Sequence, residues 1–430
     1  MQINSLFIKN FRGFSEKTFR LNPKFTVGIG NNGTGKSTLL HAVQVAAGSF
    51  FLGLPNVVSR RHIEENEIRF EFNKRSKQAE FFTPTIVEAT GFINGSGDFT
   101  WRREILQYGQ STSSKIADVG QIRSIGDDYS ARINDKDRPE LPVIAYFGVQ
   151  QLGGTKSKKT KPEVNRVILR DGYYNALGAK SDEGAFNRWL YYYQENLRHG
   201  REFKGTYEAV VEAIQTAIPY LSKVDFDNFR LEIVADCTIE NQETRRLPHS
   251  LMSDGIKRIL GIVADIAYRC VILNGFLGKQ AVKKTKGVVM IDELDMHLHP
   301  NWQRNIVRNL KDAFPNLQFV VTTHSPFIVQ SLDSAELINL DVDSDVQPKD
   351  LSLEEVAEDL MGVDDVYAED NQRVEKLSTD YLSALETIRL KPENADKKNF
   401  ARLDEIETKI SDPSVRAFLK MKRLELASNK

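Results

Sequence analysis

Residues 30–37 read GNNGTGKS and match the pattern G-x-x-x-x-G-K-[ST] at every defined position. Glycines in such a loop let the backbone turn tightly, so that successive N–H groups point inward at a phosphate. Lys36 then reaches the phosphate oxygens, and the hydroxyl of Ser37 is suited to bind Mg²⁺. An apolar strand before the loop and a helix over 38–48 are also predicted, and the helix dipole favours an anion. The stretch predicts a phosphate-binding loop, called the phosphate loop below, rather than an ordinary glycine-rich turn.

A second apolar strand is predicted at 288–291, and it ends in Asp292 and Glu293. Continuous apolar sequence is typical of a buried parallel strand, and ligands of open α/β sheets bind at the carboxyl ends of strands. We expect Asp292 to hold Mg²⁺ through water and Glu293 to polarise the attacking water. Alone, this motif would fit an exposed strand end equally well, but with the phosphate loop it predicts ATP and Mg²⁺ chemistry. The residues expected at the nucleotide from the loop are Asn31, Asn32, Gly33, Thr34, Gly35, Lys36, Ser37 and Thr38.

Two further segments extend this site. His324 follows another apolar strand, 318–323, and a neutral imidazole there could donate to the γ-phosphate. A lone histidine is more often an ordinary core or surface residue, but its place after Asp292 favours the functional interpretation. Ser253 and Gly255 open a predicted helix, with Ser253 as its N-cap, and the free N–H groups make a second phosphate-binding surface. A simply capped helix is the alternative.

Composition limits the class of protein. The 430 residues include 58 Lys plus Arg and 59 Asp plus Glu, so net charge does not drive binding to nucleic acid or membrane. Cys237 and Cys270 lack metal-binding spacing, which fits a reducing compartment. The first residues lack the apolar core of a signal peptide, and no stretch approaches the roughly 20 apolar residues of a membrane helix. We expect a soluble, cytoplasmic protein.

The expected fold is an α/β head with a mixed sheet core, an antiparallel sub-sheet, a helical insertion and a helical C-terminal tail. Strands are predicted at 3–9 and 19–29, an antiparallel sheet over 67–105, and a mobile loop over 109–140. Four regions follow from the pattern. They are a first ATPase lobe over 1–150, a helical insertion over 151–250, a second ATPase lobe over 251–345, and a helical region for assembly or partner binding over 346–430.

These motifs in this order resemble the ABC-type ATPases of the SMC, OLD-like and DNA-repair kind. The segment 252–258, MSDGIKR, is similar to their signature, and 294–300, LDMHLHP, is similar to the D-loop of one subgroup. The N-terminal stretch 10–14, NFRGF, is similar to that subgroup's N-terminal motif. Two signature positions differ, because Met252 and Ile256 replace a leucine and a glutamate, and this predicts slow or regulated hydrolysis.

The resemblance implies a homodimer that closes head to head over two ATP molecules. Ser253 and Gly255 of one subunit would meet the γ-phosphate held by Lys36 of the other, and Asp295 would couple the two sites. The family's N-terminal arginine, here Arg12, would approach the nucleotide. The family's glutamine ligand to Mg²⁺ would be Gln150, with Gln151 as the alternative. Higher oligomers remain open.

No sustained heptads separate the motifs, and residues 346–430 read as helical rather than as a nuclease domain. Asp341, Asp343 and Asp345 fit a turn after a strand better than an acidic catalytic cluster. The chain therefore resembles the ATPase subunits of Septu-type anti-phage systems, also found with some retrons. That resemblance implies control of a separately encoded HNH nuclease in bacterial defence. The alternatives are a DNA-repair or chromosome-associated ATPase that contacts DNA through the basic runs 156–161 and 279–286, and a regulatory switch with little turnover.

Overall fold

The structure is a computed structural model. It describes residues 1–55, 57, 61–75, 77–113, 116–149, 168–178, 186, 189–190, 193, 204–227, 229–230, 232–238, 243–342, 346–363, 369–390, 397–410 and 413–428. Several sequence-based predictions lie outside these residues. They concern Gln150, Gln151, the basic run 156–161, Asp343 and Asp345.

The strands of the described residues are β1 Gln2–Phe11, β2 Phe14–Arg20, β3 Phe25–Ile29, β4 Phe70–Asn73, β5 Gln78–Phe81, β6 Thr85–Phe92, β7 Phe99–Ile105, β8 Val143–Phe147, β9 Leu221–Asp227, β10 Glu232–Cys237, β11 Arg245–Pro248, β12 Gly287–Ile291, β13 Leu317–Thr322 and β14 Leu337–Asn339. The helices are α1 Lys36–Gly48, α2 Ile116–Asn134, α3 Ile168–Gly172, α4 Thr206–Ala217, α5 Asp254–Asn274, α6 Ala281–Lys284, α7 Pro300–Ala313, α8 Pro326–Gln330, α9 Leu353–Glu355, α10 Glu369–Leu390, α11 Lys397–Lys409 and α12 Pro413–Ser428.

A five-stranded sheet with the order β14-β3-β13-β12-β8 carries the predicted motifs. Each neighbouring pair in it is parallel. Every residue of β3, β8, β12 and β13 is buried, which is why these strands read as continuous apolar runs. Because the strands are parallel, the loops after β3, β12 and β13 all begin at one edge of the sheet. We call this edge the carboxyl edge and the opposite one the amino edge.

A four-stranded antiparallel sheet with the order β2-β1-β6-β7 completes the mixed α/β core. Helix α1 is almost entirely buried and contacts strands of both sheets, among them β12, β13, β1 and β6. Smaller antiparallel sheets are formed by β4 with β5 and by β9, β10 and β11. The predicted α/β head with an antiparallel sub-sheet is confirmed.

Two predictions about individual elements are wrong. The predicted strand 19–29 is divided between β2 and β3, because Asn22 and Pro23 form a turn in which the Asn22 side chain accepts from the backbone N–H of Lys24 at 2.9 Å. The predicted loop over 109–140 contains the helix α2. Val119 and Ile122 of this helix are buried.

A close backbone approach explains why the α2 sequence looked like a loop. Helix α2 packs on the short 3₁₀ segment Ser49–Gly53. A Cβ atom on Gly53 would lie 2.1 Å from the carbonyl oxygen of Arg123, and one on Gly126 would lie 2.9 Å from that of Phe50. The glycines are therefore required by packing rather than by a flexible turn.

The chain divides into two compact units, Met1–Gly362 and Val363–Lys430. The first holds both large sheets and the helices from α1 to α9. The second consists of α10, α11 and α12 in the residues described, and has its own apolar cluster around Tyr381, Leu403 and Leu419. The C-terminal region is thus helical, whereas the four-part division at residues 150, 250 and 345 stays a prediction.

One stretch among the described residues, Asp254–Lys284, is long and apolar enough to cross a membrane, because its most apolar 18-residue window has a mean hydropathy of 1.6. It contains α5 and α6. Within its most apolar window, 83% is buried inside the protein. Burial of this degree is typical of a core helix that is apolar on most of its surface.

Candidate nucleotide site

The carboxyl edge of the parallel sheet brings three of the predicted motifs together. The phosphate loop follows β3, Asp292 and Glu293 follow β12, and His324 follows β13. Strand β13 lies between β3 and β12 in the sheet order, so the three loops are neighbours. In α/β sheets this edge is the usual place for a ligand.

The phosphate loop has the backbone that its glycines predict. Gly33 and Gly35 have φ values of 90° and 113°, in the region that favours glycine. The ring of Phe14 lies where a Gly35 side chain would be, because a Cβ there would sit 2.4 Å from its Cε2 atom. The ammonium of Lys36 donates to the carbonyl oxygens of Gly30 at 2.6 Å and Asn31 at 2.9 Å.

The other predicted loop residues lie in or next to this turn. The hydroxyl of Thr34 donates to the carbonyl oxygen of Asn31 at 2.9 Å. Asn32 and Gly33 are exposed, whereas Thr38 is buried in the first turn of α1. Burial lowers the pKa of Lys36, and the carboxylates of Asp341 and Asp292 oppose that change. The loop therefore places one lysine at the carboxyl edge, near the carboxylates of Asp341 and Asp292.

Ser37 and Asp292 face each other across the gap between α1 and β12. The Ser37 hydroxyl lies 3.3 Å from Oδ2 of Asp292, and the Thr322 hydroxyl donates to Oδ1 of the same carboxylate at 2.6 Å. Two oxygen ligands held together in this way fit Mg²⁺, which prefers oxygen and keeps several waters and phosphate oxygens as further ligands. Among the described residues no group of three or more His, Cys, Asp or Glu side chains could hold a metal.

Glu293 is held in an unusual backbone conformation. Its φ is 50°, in the left-handed region, and its N–H donates to the Thr322 hydroxyl at 2.9 Å. Non-glycine residues keep such values only where surrounding contacts enforce them, and functional sites are common places for this strain. Thr322 therefore fixes both acidic residues, because it contacts the side chain of Asp292 and the backbone of Glu293.

Asp295 links the D-loop to the segment after β13. Its Oδ1 atom accepts from the Thr323 hydroxyl at 2.6 Å and from the backbone N–H of His324 at 3.1 Å. The side chain of His324 is exposed at the carboxyl edge. Within one subunit Asp295 therefore orders the histidine segment, and its coupling role across a dimer stays a prediction.

The signature segment lies against the D-loop of the same chain. Ser253 occupies the N-cap position of α5, although its hydroxyl makes no capping hydrogen bond among the described residues. A Cβ atom on Gly255 would lie 2.2 Å from the carbonyl oxygen of His297, so only glycine fits there. Met252 and Ile256, which replace the usual signature residues, are buried in the core.

Arg258 connects this helix to the acidic strand end. Its guanidinium is buried, and Nη2 donates to the carbonyl oxygens of Asp292 at 2.7 Å and Glu293 at 2.9 Å. Burial lowers the pKa of Arg258, and the charge of Glu293 opposes that change. The start of α5 and the end of β12 are thus joined by one side chain.

Arg12 lies in the turn between β1 and β2, and its guanidinium is paired with Glu67. Its φ is 51°, and its Nη2 atom lies 3.2 Å from Oε1 of Glu67. Its neighbour Phe14 is the residue that covers Gly35.

The basic run 279–286 is partly helical, and Lys283 pairs with Glu212. The predicted roles of Arg12 at the nucleotide and of this run at DNA stay predictions.

Two protein-family models match consecutive parts of the chain. A model described as an AAA domain covers residues 5–221. A second AAA-domain model, whose description adds the AbiEii toxin and Type IV TA system, covers residues 223–330. The first alone spans more than half of the 430 residues. The chain belongs to the AAA-domain family.

Relatives of this AAA-domain protein include ATPases of retrons. Retron Vc95 probable ATPase of Vibrio cholerae serotype O1 biovar El Tor is 26% identical over 395 residues, 78% of this chain and 73% of the relative. Septu protein PtuA of Bacillus thuringiensis is 36% identical over 130 residues, 26% of this chain and 32% of the relative. The SMC head domain from Thermotoga maritima has a TM-score of 0.44 at 16% identity, covering 78% of this chain and 94% of its own.

The predicted resemblance to Septu-type and retron ATPases is confirmed by the retron and Septu relatives. The predicted ATPase activity is confirmed by the family and by the retron relatives. That the carboxyl edge binds the nucleotide stays a prediction. Sequence reasoning missed three residues of this AAA-domain ATPase that contact its motifs: Arg258, Glu67 and Asp341. Oδ2 of Asp341 accepts from the N–H of Asn31 at 2.6 Å. A charged residue inside the apolar pattern of α5 was the one available signal for Arg258.

Proposed function

We propose that this AAA-domain ATPase closes as a head-to-head homodimer over two Mg²⁺-ATP, and that closure controls a separately encoded HNH nuclease in bacterial anti-phage defence. The single observation that carries the proposal is the convergence of Lys36, Asp292 and His324 at one edge, with the signature helix packed on the adjoining D-loop. The names of the retron and Septu relatives support the defence role.

Each residue has a role in this proposal. Lys36 and the loop N–H groups bind the phosphates, while Ser37 and Asp292, with Gln150, would hold Mg²⁺. The ion supplies positive charge that offsets the phosphate oxygens. Glu293 orients the attacking water, His324 donates to the γ-phosphate, and Arg12 approaches the same nucleotide.

The start of α5 provides the contact to the second subunit in this proposal. The first turn of a helix presents free N–H groups to an anion. Ser253 supports such a role, because it stands at the N-cap with a hydroxyl that caps no N–H group of its own helix. Asp295 would couple the two nucleotide sites, since its side chain already accepts a hydrogen bond from the backbone N–H of His324. We also expect the protein to work in the cytoplasm.

Reconstitution tests the link to a nuclease. The chain and the HNH protein encoded beside it are purified separately, and DNA cleavage is measured for each and for the mixture with Mg²⁺-ATP. We expect cleavage by the mixture alone, and its dependence on nucleotide should change with Lys36→Ala. Cleavage by this chain alone, or DNA-stimulated ATP hydrolysis without any partner, would favour the DNA-repair alternative.

A further inference from the structure

Glu67 is a buried carboxylate that contacts two arginines and a histidine. Its side chain is fully buried, and its Oε1 atom meets Arg12 at 3.2 Å, His41 at 3.2 Å and Arg61. Burial opposes its ionisation, but the hydrogen bond from His41 and the charge of Arg61 prevail and lower the pKa of Glu67 to about 2. The carboxylate is therefore ionised at neutral pH.

These contacts join three separate segments. Arg12 lies in the turn between β1 and β2, His41 lies on α1 one turn after Ser37, and Arg61 precedes the 3₁₀ helix Glu65–Glu67. The backbone adds to the connection, because the N–H of Arg12 donates to the carbonyl oxygen of Glu67 at 2.7 Å. The turn that carries Arg12 is thus anchored to α1, the helix that begins in the phosphate loop.

The same network reaches the nucleotide site on two sides. Phe14, two residues after Arg12, lies on Gly35 of the phosphate loop. The ring of His41 packs edge-on against Tyr146, with centroids 6.1 Å apart. Burial, and after it the charge of Asp292, raise the pKa of Tyr146. The contacts of Glu67 therefore lead to the phosphate loop through Arg12 and the nearby Phe14, and to Tyr146 through His41.

The formal charges of the cluster balance. Arg12 and Arg61 face Glu67 and Glu64, the latter 3.3 Å from Arg61 Nη1. Guanidinium groups suit phosphate recognition because they donate several hydrogen bonds from a planar group. The side chain of Arg12 is 28% exposed, so part of it remains accessible.

We propose that Glu67 is a positioning residue, which holds Arg12 beside the phosphate loop so that the guanidinium meets the nucleotide in a fixed place. The proposal rests on the function given above, because it requires ATP in the phosphate loop. It extends that function by explaining how a residue in an N-terminal turn with a strained φ of 51° keeps its place. Such orientation lowers the cost of ordering the arginine when ATP binds.

The chain offers a matched control in Glu336. Like Glu67, it closes a capping box, here with Asp333, and it is nearly buried and paired with Lys311. It stands just before β14, at the amino edge of the parallel sheet, whereas the phosphate loop follows β3 at the carboxyl edge. Removing its charge should therefore affect folding without affecting nucleotide binding.

The experiment compares Glu67→Gln, Glu336→Gln, Arg12→Ala and the double variant Arg12→Ala with Glu67→Gln. Melting temperature, KM for Mg²⁺-ATP and kcat are measured for each. We expect Glu67→Gln to raise KM about tenfold, since one oriented charged contact is lost. Glu336→Gln should lower the melting temperature with KM within about twofold of the wild type. The double variant should have the KM of Arg12→Ala alone, because Glu67 acts through Arg12.

Several results would overturn the proposal. An unchanged KM in Glu67→Gln would do so, as would effects of the two substitutions that multiply in the double variant. If Glu67→Gln does not fold, Glu67→Asp keeps the charge, and an unchanged KM with that shorter side chain would count against the proposal. If the wild type fails to bind Mg²⁺-ATP, the proposed function is wrong as well. If the wild type binds Mg²⁺-ATP and Glu67→Gln leaves KM unchanged, only the role of Glu67 is wrong.

Discussion

The two edges of the five-stranded parallel sheet differ in how their polar groups are used. At the amino edge the buried side chain of Gln318 donates to the carbonyl oxygens of Ile3 at 2.7 Å and Asn22 at 2.9 Å, and accepts from the N–H of Ile3 at 2.9 Å. At the carboxyl edge Glu293 has a left-handed backbone and His324 is exposed. The polar groups at the amino edge are therefore hydrogen-bonded within the protein. The carboxyl edge has a strained backbone and an exposed polar side chain.

This difference separates residues that stabilise the fold from residues that serve the reaction. Saturated hydrogen bonds between distant segments, such as those of Gln318, stabilise the folded state because each group would be costly to bury alone. Strained or accessible polar groups lower stability and are kept where a ligand uses them. Substitutions at the amino edge should accordingly change the free energy of unfolding, and those at the carboxyl edge should change nucleotide binding or turnover.

The largest expected effect is on turnover at the carboxyl edge. Glu293→Gln should lower kcat by about a thousandfold, because the amide cannot accept a proton from the attacking water. The Kd for Mg²⁺-ATP should change little, since the loop that binds the phosphates is untouched. Single-turnover hydrolysis and equilibrium binding measure the two quantities. Hydrolysis at the wild-type rate would remove Glu293 from the reaction.

The next effect is on binding. Lys36→Ala should raise the Kd for Mg²⁺-ATP about a hundredfold or more, because a charged donor to the phosphates is lost. Lys311→Ala at the amino edge is the matched control, since this lysine pairs with Glu336. Equal loss of binding in both variants would mean that the two edges do not differ as described.

A stability change without a binding change is expected at the amino edge. Gln318→Leu should lower the free energy of unfolding by about 2 kcal/mol, because buried groups of Ile3 and Asn22 lose their partner. KM for Mg²⁺-ATP should stay at the wild-type value. Denaturant unfolding measures the first quantity, with Gln330→Leu as a control that loses one hydrogen bond, to the Leu351 carbonyl oxygen at 2.8 Å. A raised KM in Gln318→Leu would contradict the proposed difference between the two edges of the sheet.

The smallest effect concerns acid stability. The folded state lowers the pKa of Glu67 from 4.5 to about 2. The stabilisation is therefore present above about pH 4.5 and is lost as the pH falls towards 2. Between pH 7 and pH 4 the wild type should lose about 1 kcal/mol that Glu67→Gln does not lose. Urea unfolding at both pH values measures this, and parallel losses in the two proteins would contradict the ionised carboxylate.

The motifs that are local in sequence could be predicted. The phosphate loop and the two acidic residues after β12 combine a short pattern with an apolar strand, and their placement at one edge follows from parallel pairing. The contacts of Glu67, Arg258 and Asp341 could not be predicted, because each joins segments that are distant in the chain. Helix α2 was missed because Gly126, which permits its close packing, is also a signal for loops.

The direct test of the account is the mass of the Glu293→Gln protein in solution, measured by light scattering with and without Mg²⁺-ATP. ATP binding survives in this variant while hydrolysis does not, so a closed dimer should accumulate. We predict that the mass doubles when Mg²⁺-ATP is added and stays at the nucleotide-free value when Lys36→Ala is introduced as well. A mass that does not respond to Mg²⁺-ATP, in a protein shown to bind it, would contradict the ATP-dependent dimer.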